Sequence, residues 1–175
     1  MKVILALLAL CTIAPCLAEP QTVTTGPYTI SFDLGIPKES YSIKVSEPKT
    51  SESLAGDTST SYDVELINDT GLTRRASIIL KEYPEDQLKY SSSDLVMLVE
   101  VPTKRQSGIS DVRAANRIID GVNGGIASGK FKQIGDTYTA FYQPNTRLDV
   151  LLLSWYPWDE GTLQLLKTIH VTKTA

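Results

Sequence analysis

The chain has one histidine, and this residue decides whether a base for nucleophilic catalysis is available. His170 lies between Ile169 and Val171, close to the C-terminus. A hydrolytic triad would need a serine or threonine beside the imidazole and a carboxylate to orient the ring. The chain has no Gly-x-Ser-x-Gly sequence, which presents a nucleophilic serine in many hydrolases. We therefore interpret His170 as a strand residue with its ring at the surface and predict no catalytic residue.

Carboxylates offer a second kind of chemistry, because they occur in three close groups. The groups are Asp63 with Glu65, then Glu82, Glu85 and Asp86 around Pro84, and finally Asp159 with Glu160. A glycosidase needs two acids that face each other about 5–10 Å apart across a cleft. Sequence spacing does not give that separation, and solvated strand edges and a helix cap account for the same residues. A hydrolase of an extracellular polymer therefore stays an alternative function.

Metal and phosphate chemistry has few candidate residues. The two cysteines, Cys11 and Cys16, lie in the N-terminal apolar segment, and a zinc site needs several thiolates or imidazoles. There is no Asp-x-Asp-x-Asp-Gly calcium loop, and Gly121, Gly124 and Gly125 lack the Lys-Ser/Thr of a phosphate-binding loop. We expect no cofactor and no metal site. A carrier of a small ligand or a divalent cation stays a further alternative, since acidic loops supply hard oxygen ligands.

The most suggestive group for binding is an aromatic cluster followed by two acids. The segment 155–160 has the sequence WYPWDE, so Trp155, Tyr156 and Trp158 are followed directly by Asp159 and Glu160. Alternation along a strand puts Trp155 and Tyr156 on opposite faces, so one ring faces away from the core unless both faces are covered. An exposed ring beside acids could recognise a partner or a sugar ring. We predict a binding site of these five residues, with core packing of both tryptophans as the alternative.

Size and charge limit the classes of function. The chain has 175 residues, 42% of them hydrophobic, which fits one domain of about 100–200 residues. Its 17 Lys and Arg residues against 20 Asp and Glu residues give a net charge of −3 and a pI of about 5.2. Proteins that bind DNA or RNA usually carry a basic surplus on one face, so we expect no nucleic-acid partner.

Residues 1–18 have the features of a secretory signal peptide. Lys2 precedes the apolar run Val3–Ala14, and small residues follow at the expected cleavage site. A transmembrane helix needs about 20 apolar residues, and this run ends at Pro15. We therefore predict that residues 19–175 form a single secreted domain, outside the cell or at its surface, with no membrane span.

Asn68 begins an N-glycosylation sequon, Asn68-Asp69-Thr70, at a predicted turn. A glycan can be added there only if the host glycosylates exported proteins. Asn68 is therefore the predicted glycosylation site.

The elements that must position these residues are mostly strands. Alternating apolar residues predict strands over 28–35, 41–45, 62–68 and 72–83, with an exposed loop over 47–61. The later pattern predicts a hairpin over 131–142 that turns at Gly135-Asp136, a central strand over 148–156, a helix over 160–167 and a last strand over 168–172.

The middle of the chain leaves two questions open. Leu95–Val101 is an apolar run compatible with a buried strand or with the start of a helix. Ser110 and Asp111 offer a helix cap, so we favour a short helix over 111–117 followed by paired strands. The turn dipeptides Asp120-Gly121 and Asn123-Gly124 instead favour a hairpin over 117–129. In sum the pattern predicts an α+β fold, an antiparallel β-sheet with helices packed on one face.

Two segments resemble a known kind of domain. The segment 149–171, DVLLLSWYPWDEGTLQLLKTIHV, and the segment 28–35, YTISFDLG, are similar to the closing and opening parts of PsbP-like domains. They also resemble secreted, largely uncharacterised archaeal proteins of that type. The resemblance implies an antiparallel sheet flanked by helices and a role in binding rather than catalysis. It transfers no partner or metal site to individual residues, and the insertion over 87–108 departs most from it.

The leading hypothesis is an exported, non-enzymatic binding domain that acts at the cell surface or outside the cell. Its expected partner is an envelope component or an extracellular protein. The extracellular hydrolase and the small-ligand or divalent-cation carrier remain the alternatives.

Overall fold

The computed structural model describes residues 20–53, 56–68, 74–132, 135–155 and 159–174. Within these ranges, eleven strands and two α-helices follow one another along the chain. In chain order they are β1 (Gln21–Thr25), β2 (Tyr28–Phe32), β3 (Ser42–Val45), β4 (Lys49–Glu52), β5 (Thr58–Asn68), β6 (Arg74–Glu82), α1 (Ser92–Arg105), β7 (Ile109–Ile119), β8 (Val122–Phe131), β9 (Gly135–Asn145), β10 (Leu148–Trp155), α2 (Asp159–Thr168) and β11 (His170–Lys173).

The strands pair antiparallel in two sheets. The smaller sheet has the order β1-β2-β11, so the last strand of the described chain pairs with the second. The larger sheet has the order β3-β5-β6-β10-β9-β8-β7, with β4 beside β5. β10 lies in the middle of the larger sheet, which confirms the prediction of a central strand there. The pairing of β2 with β11 brings the two ends of the described chain together.

The predicted α+β class, with helices packed on one face of a sheet, is wrong, because the described chain is mainly β. The residues expected to form a helix over 111–117 lie in β7, which pairs with β8 in a long hairpin. Asp120 and Gly121 form its turn with φ of 50° and 75°, the signs that a type I′ turn requires. Asp111 has φ of 52° beside a register shift, so it marks a bulge and not a helix cap.

Leu95–Val101, left open between strand and helix, belongs to α1. Ser91 caps this helix: its Oγ accepts the Asp94 N–H at 3.3 Å, and the Asp94 carboxylate accepts the Ser91 N–H at 3.0 Å. α1 lies on β7, β8 and β9, at one end of the larger sheet. Gly125 permits this close packing, because a Cβ there would overlap the backbone carbonyl of Leu95.

Two smaller predictions are also corrected. The expected loop over 47–61 contains β4 and the start of β5, which pair through Thr50 with Thr60 and Ser51 with Ser59. Every residue of β4 is exposed, so the strand has no apolar alternation that a pattern could detect. The turn expected at Gly135-Asp136 is instead part of β9, which pairs there with the end of β8.

The core lies where the inner faces of the two sheets and α2 meet. Buried side chains from β2, β5, β6 and β10 meet there; of these Ile30, Val64, Leu66, Ile78, Leu80 and Val150 have no exposed surface. Burial of one such side chain stabilises the fold by about 1.5–3 kcal/mol. The core therefore joins the smaller sheet to the larger one, and the polar residues that follow lie around its margin.

Candidate functional site: a cleft between the sheets

A cleft of about 470 Å³ opens between the smaller sheet and one end of the larger sheet. Its walls come from β2 and β11 on one side, from the ends of β5 and β6 on the other, and from the turn between β9 and β10. The residues that give it polar character are Tyr28, Thr58, Glu82, Asn145, Arg147 and Lys173. Leu148 and Val171 supply apolar wall.

Glu82 lies at the centre of the cleft, which we therefore call the Glu82 cleft. Its Oε2 accepts the Tyr62 hydroxyl at 3.0 Å, and its Oε1 accepts the Lys173 ammonium at 2.6 Å. Burial alone would raise the pKa of Glu82, but hydrogen bonds from Lys173, Tyr28 and Tyr62 outweigh it, so the pKa lies below its ordinary value. Glu82 is therefore ionised at neutral pH and is held in one orientation.

Tyr28 and Tyr62 contact the Glu82 carboxylate from the side of the core. Their rings pack edge to face with centroids 5.4 Å apart, and the Lys173 ammonium lies 5.8 Å from the Tyr28 ring centre. Burial, then the hydrogen bond to Glu82 and its charge, raise the pKa of Tyr28 well above its ordinary value. Both hydroxyls consequently stay protonated and act as donors to Glu82.

The strand registers explain why these side chains meet. Thr60 of β5 lies opposite Glu82 of β6, and Tyr28 of β2 lies opposite Lys173 of β11. Tyr62 is two residues from Thr60 and so lies on the same face of β5. The Glu82 cleft is therefore assembled by pairing between strands that are distant in the sequence.

An ion pair closes the outer rim of the cleft. Arg147 Nε donates to Asp86 Oδ1 at 2.9 Å, and the Thr146 hydroxyl donates to the same oxygen at 2.8 Å. These two hydrogen bonds lower the pKa of Asp86. The cations Lys173 and Arg147 each have a carboxylate partner, so the charges around the cleft are nearly balanced.

Asp149 forms a second polar centre on the opposite face of the larger sheet. Leu148 lies opposite Glu82 in the register, so the next residue points the other way. Asp149 is 5% exposed and accepts the Tyr83 hydroxyl at 3.1 Å and the Gln143 amide at 3.4 Å. Burial raises its pKa despite these hydrogen bonds. Glu82 and Asp149 therefore do not face each other across a cleft.

The single histidine has the orienting carboxylate that a triad needs. His170 Nδ1 lies 2.6 Å from Asp120 Oδ1, and Asp120 Oδ2 accepts the Val171 N–H at 2.9 Å and the Tyr142 hydroxyl at 3.4 Å. The His170 side chain is 64% exposed, in agreement with the predicted surface ring. In the part of the chain that the structure describes, no serine or threonine hydroxyl is hydrogen-bonded to this imidazole.

The predicted aromatic and acidic site lies mainly outside the described residues. Tyr156 and Trp158 fall outside them altogether. Trp155 ends β10, and Asp159 and Glu160 begin α2, but their side chains also lie outside the description. The binding role of these five residues therefore stays a prediction.

The predicted glycosylation site is described in part. Asn68 is the last residue of β5 and is 7% exposed, whereas Asp69 and Thr70 lie outside the described residues. A glycan on Asn68 would require its side chain to turn outward from this buried position. Glycosylation stays a prediction.

Of the cleft residues, sequence reasoning singled out Glu82 as a carboxylate, grouped with Glu85 and Asp86, which lie outside the cleft lining; it missed Tyr28, Lys173 and Arg147. Lys173 follows Glu82 by 91 positions, so no local pattern connects the two. The other paired acids, Asp63 and Glu65, share one face of β5 as alternation predicted.

Within the described ranges, no group of three or more His, Cys, Asp or Glu side chains could hold a metal ion. No helix in the same ranges is long and apolar enough to cross a membrane. Comparison of the chain with protein-family models, with curated proteins and with solved structures found no match. The resemblance to PsbP-like domains therefore stays a prediction.

Proposed function

We propose that the chain is an exported binding protein that holds a small, polar, hydroxylated group of an envelope or extracellular component in the Glu82 cleft. One sugar unit of a surface polymer has this chemistry. The signal-peptide features of residues 1–18 support export. The observation that carries the proposal is the cleft itself, with an ionised glutamate fixed by two tyrosines and one lysine.

The size of the cleft favours a small ligand. Pockets for small molecules usually have volumes of about 300–1,000 Å³, and the Glu82 cleft has about 470 Å³. A folded protein does not fit in such a space. A single sugar unit or a short polar chain does.

The polar groups of the cleft favour a neutral ligand that both donates and accepts hydrogen bonds. A carboxylate offers about four acceptor positions, and Glu82 uses three of them for Tyr28, Tyr62 and Lys173. Asn145 and Thr58 add groups that can donate or accept. Because the charges are nearly balanced, a strongly charged ligand gains little there, whereas hydroxyl groups find partners of both kinds.

Saturation-transfer NMR with glucose, galactose and N-acetylglucosamine, supported by thermal shifts, tests the proposal. Binding to the folded state stabilises it in proportion to RT ln(1 + [L]/Kd). We expect transfer to at least one sugar, with loss in Glu82→Gln and Lys173→Gln. The matched controls Glu85→Gln and Lys167→Gln, outside the cleft, should keep it. No transfer to any sugar, or equal transfer in all four variants, would contradict the proposal.

A further inference from the structure

β7 is the last strand of the larger sheet, and its outer edge is free in the described part of the chain. Only β8 pairs with it. Between Val112 and Ile118, no group in the described ranges outside that ladder hydrogen-bonds to it. An unpaired strand edge is a template onto which another extended segment can add by backbone hydrogen bonds.

The hairpin geometry identifies the backbone groups that face outward. Ile119 and Val122 flank a two-residue type I′ turn and therefore form a hydrogen-bonded pair. Alternation along the ladder then directs the N–H and C=O groups of Ala114, Asn116 and Ile118 away from β8. The outward N–H and C=O groups of these three residues can form up to six hydrogen bonds with a strand laid alongside.

The β7 edge is basic although the whole chain is acidic. Residues 112–119 contain two Arg residues and no Asp or Glu, a net charge of +2, whereas the whole chain carries −3. The two cations, Arg113 and Arg117, are four residues apart in one strand and so share a face. Within the described ranges neither forms an ion pair.

The opposite face of the same strand is partly apolar. Ile118 is 65% exposed, next to the turn of the hairpin. A partner strand with acidic residues on one face and aliphatic residues on the other would meet Arg113 and Arg117 with the first face and Ile118 with the second.

A second copy of the chain is a poor occupant of this edge. Antiparallel pairing of two β7 strands centred on Ala115 would set Arg113 opposite Arg117 in both directions, and like charges directly opposite each other are destabilising. Pairing centred on Asn116 would set Arg113 opposite Ile119 and Arg117 opposite Ala115, so neither arginine would meet a carboxylate. Charge complementarity instead selects an acidic partner.

We propose that the free edge of β7 binds an extended acidic segment of another protein as an added strand. The bulge at Asp111 limits the docking edge at one end, and the turn at Asp120 limits it at the other. This surface is separate from the Glu82 cleft, so the two proposals stand or fall independently.

A capped nonapeptide in which Glu alternates with Val is the probe. Fluorescence anisotropy at low salt should detect its binding to the purified protein. The same composition with its Glu residues in one block should bind about tenfold more weakly or worse, because only the alternating peptide presents one acidic face to β7. The double variant R113E/R117E should lose the alternating peptide and gain an alternating Lys/Val peptide.

Asn116→Pro tests the backbone part of the proposal. It removes one outward N–H without removing a ladder bond to β8, and proline is tolerated at such edge positions. Asn116→Ala keeps that N–H and is the matched control. We expect loss of binding with the proline variant and retention with alanine, at unchanged melting temperatures. The proposal is overturned if no peptide binds, or if the alternating peptide and the peptide with its Glu residues in one block bind equally. It is also overturned if soluble dextran sulfate competes fully with the alternating peptide while Asn116→Pro still binds that peptide, because the binding would then depend on charge alone.

Discussion

Asp120 is expected to fasten β11 to the larger sheet, and its replacement by alanine measures that role. Tyr142 is fully buried, so loss of the carboxylate leaves its hydroxyl without an acceptor, which costs about 1–3 kcal/mol. The Val171 N–H loses its acceptor as well. Asp120 has φ of 50°, and alanine in this left-handed conformation costs about 1–2 kcal/mol more. We therefore expect Asp120→Ala to lower the free energy of unfolding by about 3 kcal/mol or more.

Two further variants separate this role from the contact with the histidine. The His170 side chain is 64% exposed, and exposed polar contacts of this kind contribute about 0–1 kcal/mol, so His170→Ala should have a small effect. Asp120→Asn keeps an acceptor oxygen and tolerates the left-handed backbone, and it should lie between the two. Urea unfolding at pH 7 with constant m-values supplies the three free energies. A cost for His170→Ala equal to that of Asp120→Ala would refute the argument.

Three further predictions follow from the fold and the cleft. Gly125→Val should force α1 away from β8 and lower the free energy of unfolding by about 1–3 kcal/mol in urea titrations; an unchanged midpoint would show that the helix can shift at no cost. Ser91→Ala removes the capping box and should cost about 1 kcal/mol in the same assay, whereas a neutral result would show that water replaces the cap. Glu82→Gln should destabilise most at neutral pH. The folded pKa of Glu82 is lowered, so its stabilisation is present above the ordinary glutamate pKa of about 4.3 and disappears as pH falls through the folded value. An equal loss of stability at pH 3 and pH 7 would contradict that assignment.

Local patterns predict an element well when one of its faces is buried. In β2, Tyr28, Ile30 and Phe32 are buried and alternate with half-buried residues, and the predicted strand begins at the observed residue. β10 is also predicted well, as a central strand, because it is apolar on both faces. β4 escaped detection because its residues are exposed on both faces.

Patterns fail where the deciding contact lies far away in the sequence. Asp111 looks like a helix cap, yet the type I′ turn at Asp120-Gly121 and the pairing with β8 make the same region a strand. The candidate site is a stronger case. Glu82 meets Tyr62 across 20 positions and Lys173 across 91, so only the assembled sheets bring the three together.

β11 links the two sheets through its ends. Its backbone pairs with β2 in the smaller sheet, but Asp120 of the β7–β8 turn holds the Val171 N–H near its start, and Glu82 of β6 holds Lys173 at its finish. Both anchors are carboxylates of the larger sheet, and the Glu82 cleft lies at the second one. A ligand that competes for the Lys173 ammonium therefore breaks only one of these two contacts, because the Asp120 contact with the Val171 N–H does not involve Lys173.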